Sequence, residues 1–357
     1  MNIREFAKLC GVSASTVSRV LSGPQEKSRI SRSLYDKIRA KATELNYRPN
    51  YYAQRMQSLY SNNIGVIIGN AFKLISGEFV DAVGAVLTSQ RKTLTLFTCP
   101  NGVEDVAPAL EKMIHQGMDA IIIHPNADEN GADMQVIINS LRKRFSRLPP
   151  VIIIFSGVDF SEVFQVGIDE EETGRRAALR QLALGCRKFG VLSHATPNPH
   201  CEMIIDSYCG TLIANGIAQD KIIRVNAEHL SFPEGLRPLE GIDGLWLSFL
   251  LTLPEMRPGL EKVCQLDKLH VDTFGSIEML AMLQWWRPAV GKIETPVHPF
   301  KTLYMGVISL REAGICAAQM AIEAGADKNL MPLSRRIACD YVEFDETLKT
   351  LPSFLPE

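Results

Sequence analysis

Apolar positions near the start of the chain recur every three or four residues in three short stretches, which predicts three helices. Asn2 and Glu5 stand where a capping box would begin the first helix, and Gly11 permits a sharp exit from it. Ser13 is placed to cap the second helix, and Ser31 to open the third. The residues expected to face inward are Ile3, Phe6, Ala7 and Cys10, then Val17, Val20 and Leu21, then Leu34, Ile38, Ala42 and Leu45.

The second predicted helix turns short or hydrogen-bonding side chains outward. They are Ala14, Ser15, Thr16, Ser18 and Arg19. Side chains of this kind let a helix sit deep in the major groove of DNA and reach its base edges. On spacing alone, a three-helix unit that does not touch DNA remains an alternative, because Ser and Thr are common helix caps.

From residue 63 onward, apolar runs of strand length alternate with segments of helix length. The runs are Ile64–Ile68, Leu94–Thr98, Ala120–His124, Val151–Phe155, Lys188–Ser193, Leu245–Phe249 and His270–Phe274. This rhythm predicts parallel sheets with helices on both faces, since continuous Val and Ile runs suit strands that are buried on both sides. A segment of this length is too long for one such sheet, so two similar lobes are expected.

Charge is distributed unevenly along the 357 residues. The formal net charge is only −2, but residues 1–60 hold 11 Lys and Arg against 4 Asp and Glu. The remaining residues hold 27 Lys and Arg against 36 Asp and Glu. A basic head on an acidic body is the pattern expected when only the head meets a polyanion.

Several classes of protein find no support in the sequence. The eight cysteines form no CxxC pair and no secretory leader is recognised, so free thiols in a reducing cytoplasm are expected. The apolar runs are too short to cross a membrane. No glycine-rich phosphate loop or Gly-x-Ser-x-Gly elbow occurs, so neither an enzyme nor a bound cofactor or metal is expected. The carboxylate run Asp169–Glu172 is interpreted as the solvated start of a helix.

The N-terminal motifs resemble those of the lactose-repressor and galactose-repressor (LacI/GalR) family of bacterial transcription regulators. The family pattern I-x-x-(V/F)-A-x-x-(A/C)-G-V-S-x-x-T-V-S-R-V-L-(N/S)-G is matched by Ile3–Gly23. The family's L-(G/N)-Y-R-P-N-x-x-A-R-x-L is similar to Leu45–Met56, where Gln54 replaces the usual Arg. The resemblance implies a helix-turn-helix DNA-binding domain at residues 1–49 and a hinge helix or linker at residues 50–60.

The resemblance also implies roles for the residues of the head. Ala14, Ser15 and Arg19 would face base edges, while Thr16 and Ser18 would hold phosphates. In the hinge segment the implied DNA contacts are Asn50, Arg55 and Met56. Met56 would be the wedge pushed into the minor groove, although it could instead merely cap a linker. The loop Gly23–Arg29 carries Lys27 and Arg29, which are either phosphate contacts or part of a solvated turn.

The body, residues 61–357, resembles the family's periplasmic-binding-protein-like core for effector binding and dimerisation. The expected first lobe is about 61–165 and 296–325, and the second about 166–295 and 326–345. Ligands of open α/β lobes bind at the carboxyl ends of strands. The residues expected to line the effector cleft are Phe72, His124, Asn126, Ser156, His194, Ile204, Phe249 and Phe274.

Three polar groups that the family places in its cleft are replaced here by apolar residues. Ile204 stands in the place of an arginine, Trp246–Leu251 replaces an Asn-Asp pair, and Thr273–Gly275 lacks the expected carboxylate. Each unmade hydrogen bond to a buried ligand costs about 1–3 kcal/mol, which makes an ordinary hexose effector unfavourable. A more apolar ligand, a protein co-regulator, or no ligand at all remain the alternatives.

Taken together, the sequence predicts a cytoplasmic, nucleoid-associated homodimer that represses a metabolic operon by binding a pseudopalindromic operator in double-stranded DNA. No membrane partner is expected. The alternative is a soluble solute-binding sensor that does not control DNA, against which the basic head argues.

Overall fold

The computed structural model describes residues 1–22, 25–47, 61–69, 76–125, 131–155, 160, 162–193, 199–226, 234–248, 253–276, 300–327 and 329–344. The chain forms two compact units, Met1–Ser61 and Asn62–Glu357. Among the described helices, none has the length and apolar character needed to span a bilayer. All eight cysteines are free thiols.

The described residues of the N-terminal unit form four helices: α1 (Ile3–Cys10), α2 (Ala14–Ser22), α3 (Gln25–Ser28) and α4 (Arg32–Glu44). The capping box predicted for α1 is present, with Asn2 and Glu5 bonded reciprocally. Gly11 ends α1 in the left-handed region at φ 68°, which a residue without Cβ adopts freely. The short helix α3 lies in the segment that the sequence pattern had left as a loop.

A small core holds these helices together. Phe6, Val17, Val20 and Ile38 are fully buried, and the ring of Tyr47 stacks on Phe6 with centroids 4.2 Å apart. The expectation that Leu45 faces inward is wrong, because this residue is 37% exposed. It follows the last turn of α4 as its C-cap, where the helical periodicity no longer applies.

The inward face of α4 also differs from the prediction by one residue. Tyr35 is buried, whereas Leu34 is only half-buried. Tyrosine carries a large apolar body with a polar tip, so the pattern of apolar letters alone understates its tendency to be buried.

The C-terminal unit contains two six-stranded sheets. The first has the order β11-β5-β4-β3-β1-β2 and is wholly parallel. Its strands are β1 (Asn63–Gly69), β2 (Thr93–Cys99), β3 (Ala120–His124), β4 (Val151–Ile154), β5 (Phe164–Ile168) and β11 (Ser334–Ile337). Its helices are α5 (Gly77–Ser89), α6 (Val103–His115), α7 (Gly131–Arg144) and α11 (Leu310–Ala326).

The second sheet has the order β12-β10-β9-β8-β6-β7, with only β12 antiparallel to its neighbour. Its strands are β6 (Phe189–Ser193), β7 (Ile222–Asn226), β8 (Gly244–Leu247), β9 (His270–Ser276), β10 (Thr302–Ile308) and β12 (Asp340–Phe344). Its helices are α8 (Glu170–Ala183), α9 (Pro199–Ala214) and α10 (Leu253–Val263), with short 3-10 turns at Gln219–Lys221, Glu234–Leu239 and Leu266–Lys268.

The predicted fold class, an α/β core of parallel sheets flanked by helices behind a helix-turn-helix head, is confirmed. Apolar residues of the first sheet feed two clusters, one on each face, as expected for strands buried on both sides. The second sheet is likewise covered on both faces.

The assignment of strands to lobes differs from the sequence prediction at three places. β5 pairs in the first sheet through Ile168, β10 pairs in the second sheet although residues 296–325 had been assigned to the first lobe, and β11 returns to the first sheet. The chain therefore crosses between sheets after β5, after β10 and after β11. A buried apolar strand looks the same in either sheet, so periodicity cannot choose between them.

Candidate nucleic-acid interface and interlobe site

Helix α2 packs one side against the core of the head, and this orients its polar side toward solvent. Val17 and Val20 are fully buried, which leaves Ser15 and Arg19 exposed. Ala14, Thr16 and Ser18 are half-buried at the rim of the same helix. The helix thus displays all five residues predicted to meet DNA, two of them fully open to solvent.

Hydroxyl groups cluster at the start of α2. The Oγ of Ser13 accepts a hydrogen bond from the backbone N–H of Thr16 at 3.1 Å, as expected of a helix cap. It also lies 2.8 Å from the Oγ of Ser15 and 2.9 Å from the Oγ1 of Thr16. A helix N-terminus with preordered hydroxyl donors is a favourable place for a phosphate oxygen.

Arg19 is the cation of this face. Among the described residues it forms no ion pair and no hydrogen bond, and its side chain is exposed. Most other cations of the head are exposed as well, including Arg4, Lys8, Lys37 and Arg39. Arg32–Asp36 and Lys41–Glu44 are the only ion pairs among the described residues of this unit, so the other described cations have no carboxylate partner among them.

Several predicted DNA contacts cannot be placed. Asn50, Arg55 and Met56 lie outside the described residues, as does the side chain of Lys27. Arg29 is exposed in a turn at φ 52°. The structure therefore leaves the phosphate-contact and solvated-turn interpretations of this loop open.

A row of rings connects the two sheets at the carboxyl ends of their strands. His124 closes β3 and is buried, Phe155 follows β4, His200 lies in the first turn of α9, and Phe274 lies in β9. Neighbouring ring centroids are 6.0 Å apart for His124 and Phe155, 6.3 Å for Phe155 and His200, and 5.2 Å for His200 and Phe274. Burial lowers the pKa of His124 to about 4, so this imidazole is neutral near pH 7.

A buried carboxylate links one of these rings, His200, to strand β11 of the first sheet. Glu170, the first residue of α8, is 5% exposed and accepts from Nδ1 of His200 at 2.9 Å and from Arg336 of β11 at 3.1 Å. Burial alone would raise the pKa of Glu170, but the hydrogen bond from His200 and the charges of His200 and Arg336 lower it below its usual value. Residues from both sheets thus meet at this carboxylate.

The sequence interpretation missed this cluster. The run Asp169–Glu172 was interpreted as a solvated helix start, which is wrong for Glu170 alone. Asp169 is exposed and caps α8 by accepting from the N–H of Glu172 at 3.0 Å, as the helix dipole favours. The signal that could have found Glu170 is its helical phase, since it precedes the buried residues Thr173, Gly174 and Ala177 by three, four and seven positions.

Three of the eight predicted cleft residues can be placed. His124 and Phe274 belong to the row of rings, whereas Ile204 is 1% exposed and packs with Tyr208 and Trp246 inside the second lobe. The other five lie outside the described residues: Phe72, Asn126, Ser156, His194 and Phe249. Near the end of β8, the Nε1 of Trp246 and the Oγ of Ser248 are buried without a hydrogen-bond partner among the described residues.

The part of the chain that the structure describes offers no metal-binding site. No group of three or more His, Cys, Asp and Glu side chains there is arranged to hold a metal ion. Burial raises the pKa of the Cys201 thiol, next to His200, to about 12, so this sulfur is a protonated and unreactive thiol.

Comparison with known proteins agrees with the geometry of the head. Residues 2–50 match the family model described as bacterial regulatory proteins, lacI family. The HTH-type transcriptional regulator GalS of Salmonella typhimurium is 32% identical over 218 residues, and this match spans 61% of each chain. The regulator AscG of Escherichia coli is 22% identical over 303 residues, which cover 82% of this chain and 86% of that one.

Solved structures share the architecture of the whole chain. A lac repressor dimer bound to operator and the anti-inducer ONPF superposes with a TM-score of 0.69 at 17% identity, covering 96% of this chain and 97% of the other. A LacI family regulator from Enterococcus faecium with bound ribose gives a TM-score of 0.59 at 16% identity over 80% of this chain and 98% of the other. At these identities the solved structures establish the fold alone. Residues 2–50 therefore carry the domain of the lacI family, and the chain as a whole is similar in sequence to HTH-type transcriptional regulators and in fold to LacI-type regulators.

Proposed function

We propose that this protein is a repressor that binds a pseudopalindromic operator as a homodimer and acts on the bacterial nucleoid. The observation that carries the proposal is the exposed face of α2, which combines hydroxyl groups ordered at a helix N-terminus with an uncompensated Arg19. A solute sensor without DNA control has no use for such a face. The curated relatives are named as transcriptional regulators and one as a repressor, which favours the same function.

In the proposed complex, α2 lies in the major groove. Ser15 and Arg19 read base edges, Ala14 contacts a thymine methyl, and Thr16 and Ser18 hold the phosphates on either side. Asn50 and Arg55 complete the contacts to the backbone, and Met56 opens the central base step from the minor groove.

The homodimer is supported by an exposed apolar side chain at the edge of the first sheet. β2 is an edge strand, and Leu96 on it is 44% exposed. A large apolar side chain on an open edge strand is a surface that a second copy of the chain can cover. Two heads would then read the two half-sites of one operator.

An effector site is proposed at the carboxyl ends of the strands, where rings rather than charges predominate. The carboxylate in this region, Glu170, is already bonded to His200 and Arg336. The buried Nε1 of Trp246 and Oγ of Ser248 offer the second lobe's free donors among the described residues. This composition favours an effector more apolar than a hexose, or a protein co-regulator, over a sugar held through many hydroxyls.

The function is tested by selecting duplexes from a random library with the full chain, then measuring Arg19→Ala on the best of them. If Arg19 reads a base, we expect a loss of about 1–3 kcal/mol on the selected duplex and weaker discrimination at one position of each half-site. Arg4→Ala is the matched control, because it removes one exposed cation from α1 and should weaken all duplexes alike.

Two outcomes would overturn parts of this proposal. Failure of the chain to select any two-fold-symmetric duplex, with and without candidate effectors, would rule out the repressor. Equal behaviour of Arg19→Ala and Arg4→Ala would leave DNA binding intact and withdraw the base-reading role of Arg19.

A further inference from the structure

The two sheets of the core differ in charge at the edge where their strands begin. The parallel strands of the first sheet place their amino ends together, along with the C-terminal turns of α6 and α7. The cations of this edge are Arg91, Lys92, Lys112, Arg142, Lys143, Arg144 and Arg147, and its carboxylates are Glu111, Asp119, Glu162 and Asp327. The corresponding edge of the second sheet is nearly balanced, with cations Arg187, Lys188, Lys221, Lys262, Lys268 and Lys301 against carboxylates Asp220, Glu240, Asp243, Glu261 and Asp267.

Ion pairing leaves four of the seven cations of the first edge without a described carboxylate partner. Three carboxylates are already engaged by cations of the same edge: Asp119 with Lys92, Glu162 with Arg142, and Glu111 with Arg144. Lys112 is one of the four, and its ammonium lies over the ring of Phe97. The other three, Arg91, Lys143 and Arg147, are exposed, and none of them forms an ion pair with another described residue. We call these three residues the amino-edge cations. They stand out because the core as a whole carries more acidic than basic residues.

Arg147 also lies at a surface depression that has room for a small anionic group. Together with Phe145 and Ser146 it lines a surface depression of about 290 Å³, whose far wall includes the paired Arg142 and Glu162. A phosphate oxygen entering beside Arg147 would find the guanidinium and the hydroxyl of Ser146 as donors.

The chain that comes from the head enters the core at this same edge. Asn62 immediately precedes β1, and its backbone N–H donates to Oδ2 of Asp119 at 2.9 Å. Lys92 binds the same oxygen at 3.3 Å, so the entry point is anchored beside the cations. The chain that comes from the head therefore joins the core at its basic edge rather than at its nearly balanced one.

We propose that the amino-edge cations Arg91, Lys143 and Arg147 form a second DNA contact, made by the core with phosphates of the duplex that the head has bound. This inference rests on the proposed function and extends it from the head to the core. The contact carries no sequence information, because phosphates are alike along the duplex. Its effect is to strengthen binding in a salt-dependent way.

The test measures how the dissociation constant of the selected duplex depends on salt. Each phosphate contact contributes about 0.9 to the slope of log affinity against log salt. The triple variant Arg91→Gln, Lys143→Gln, Arg147→Gln removes three cations from each of the two subunits, so it should lower the slope by about five. Discrimination between selected and scrambled duplexes should stay as in the wild type. The matched control Lys221→Gln, Lys262→Gln, Lys268→Gln removes three exposed cations from the second lobe and should leave the slope unchanged.

Unfolding midpoints establish that both triple variants remain folded, and Arg91→Lys, Lys143→Arg, Arg147→Lys should keep the wild-type slope. An unchanged slope in the amino-edge variant would overturn the proposal and would point to another partner, such as an acidic protein. An equal decrease in the second-lobe control would also overturn it, by showing an effect of total charge. Failure of the wild type to select any duplex would instead reject the repressor function.

Discussion

The face of α2 leaves polar groups exposed to water, whereas the cluster around Glu170 buries its carboxylate and bonds it to neighbouring side chains. On α2, Arg19 is exposed and forms no ion pair with a described residue. Around Glu170, the carboxylate is buried and bonded to both His200 and Arg336. The first arrangement costs little, since water solvates the groups until a ligand replaces it, whereas the second holds charges that cannot be separated cheaply.

Because of this difference, the two regions respond to a ligand in different ways. A surface that waits for a polyanion keeps its donors hydrated and preordered, so binding gains from the release of counterions. A cluster that joins two lobes is already satisfied without a ligand, so anything that opens the lobes must first break it. The predictions below test this contrast.

The largest effect is expected from Glu170→Ala. The substitution leaves His200 and Arg336 facing each other without their carboxylate. Since Arg336 remains half-exposed to water, we expect a loss of about 2–3 kcal/mol in the free energy of unfolding of the core, below the range for a fully buried pair. Urea denaturation measures it, with the exposed Glu171→Ala as control. A loss no larger than that of the control would mean that the cluster is not coupled as described.

Acidification should destabilise the core through His124. Its pKa is about 4 in the folded protein and near 6.5 when unfolded, so the unfolded chain takes up the proton first as the pH falls. The stabilisation is complete above the unfolded pKa and is lost as the pH falls toward the folded one, by about 2 kcal/mol between pH 7 and pH 5. His124→Gln should flatten unfolding curves over this range, whereas the exposed His115→Gln should not. A wild-type stability independent of pH there would refute burial of the neutral ring.

The smallest effect is expected at the start of α2. Ser13→Ala removes the cap of this helix and the partner of two hydroxyls, with an expected loss of about 1 kcal/mol. Hydrogen exchange of the backbone amides of α2 measures this loss of stability locally. Ser33→Ala, on the exposed face of α4, is the control. Unaltered exchange in α2 would show that the hydroxyl cluster does not order the helix.

The sequence predicted the head better than the interlobe site, for a physical reason. Helix α1 has a capping box, a left-handed glycine and a regular apolar face, and all three signals are local. The seven apolar runs were likewise found as strands, because continuous Val and Ile residues mark burial wherever they occur. Five of the described strands were missed. β7, β11 and β12 lie at sheet edges, where polar residues interrupt the apolar pattern, whereas β5 and β10 lie inside their sheets.

Contacts between distant parts of the chain could not be predicted. Glu170 and Arg336 are 166 residues apart in sequence, and nothing in either segment indicates that they meet. The assignment of β10 and β11 to their sheets failed for the same reason, since the choice depends on pairing partners far along the chain. Local patterns specify elements, whereas the meeting of lobes is specified only by the complete fold.

The close crossing of α8 and α9 has a mechanical consequence. At Gly174 a Cβ atom would lie 2.7 Å from the backbone nitrogen of Tyr208 and 2.9 Å from the Cβ of Ser207, so the two helices approach this closely only because position 174 has no side chain. Helices packed this closely cannot slide past one another easily, so we expect the two to move as a rigid pair. Glu170 and His200 lie in the first turns of these two helices and are hydrogen-bonded to each other, so we expect a displacement of either helix to reach Arg336 of the first sheet through Glu170.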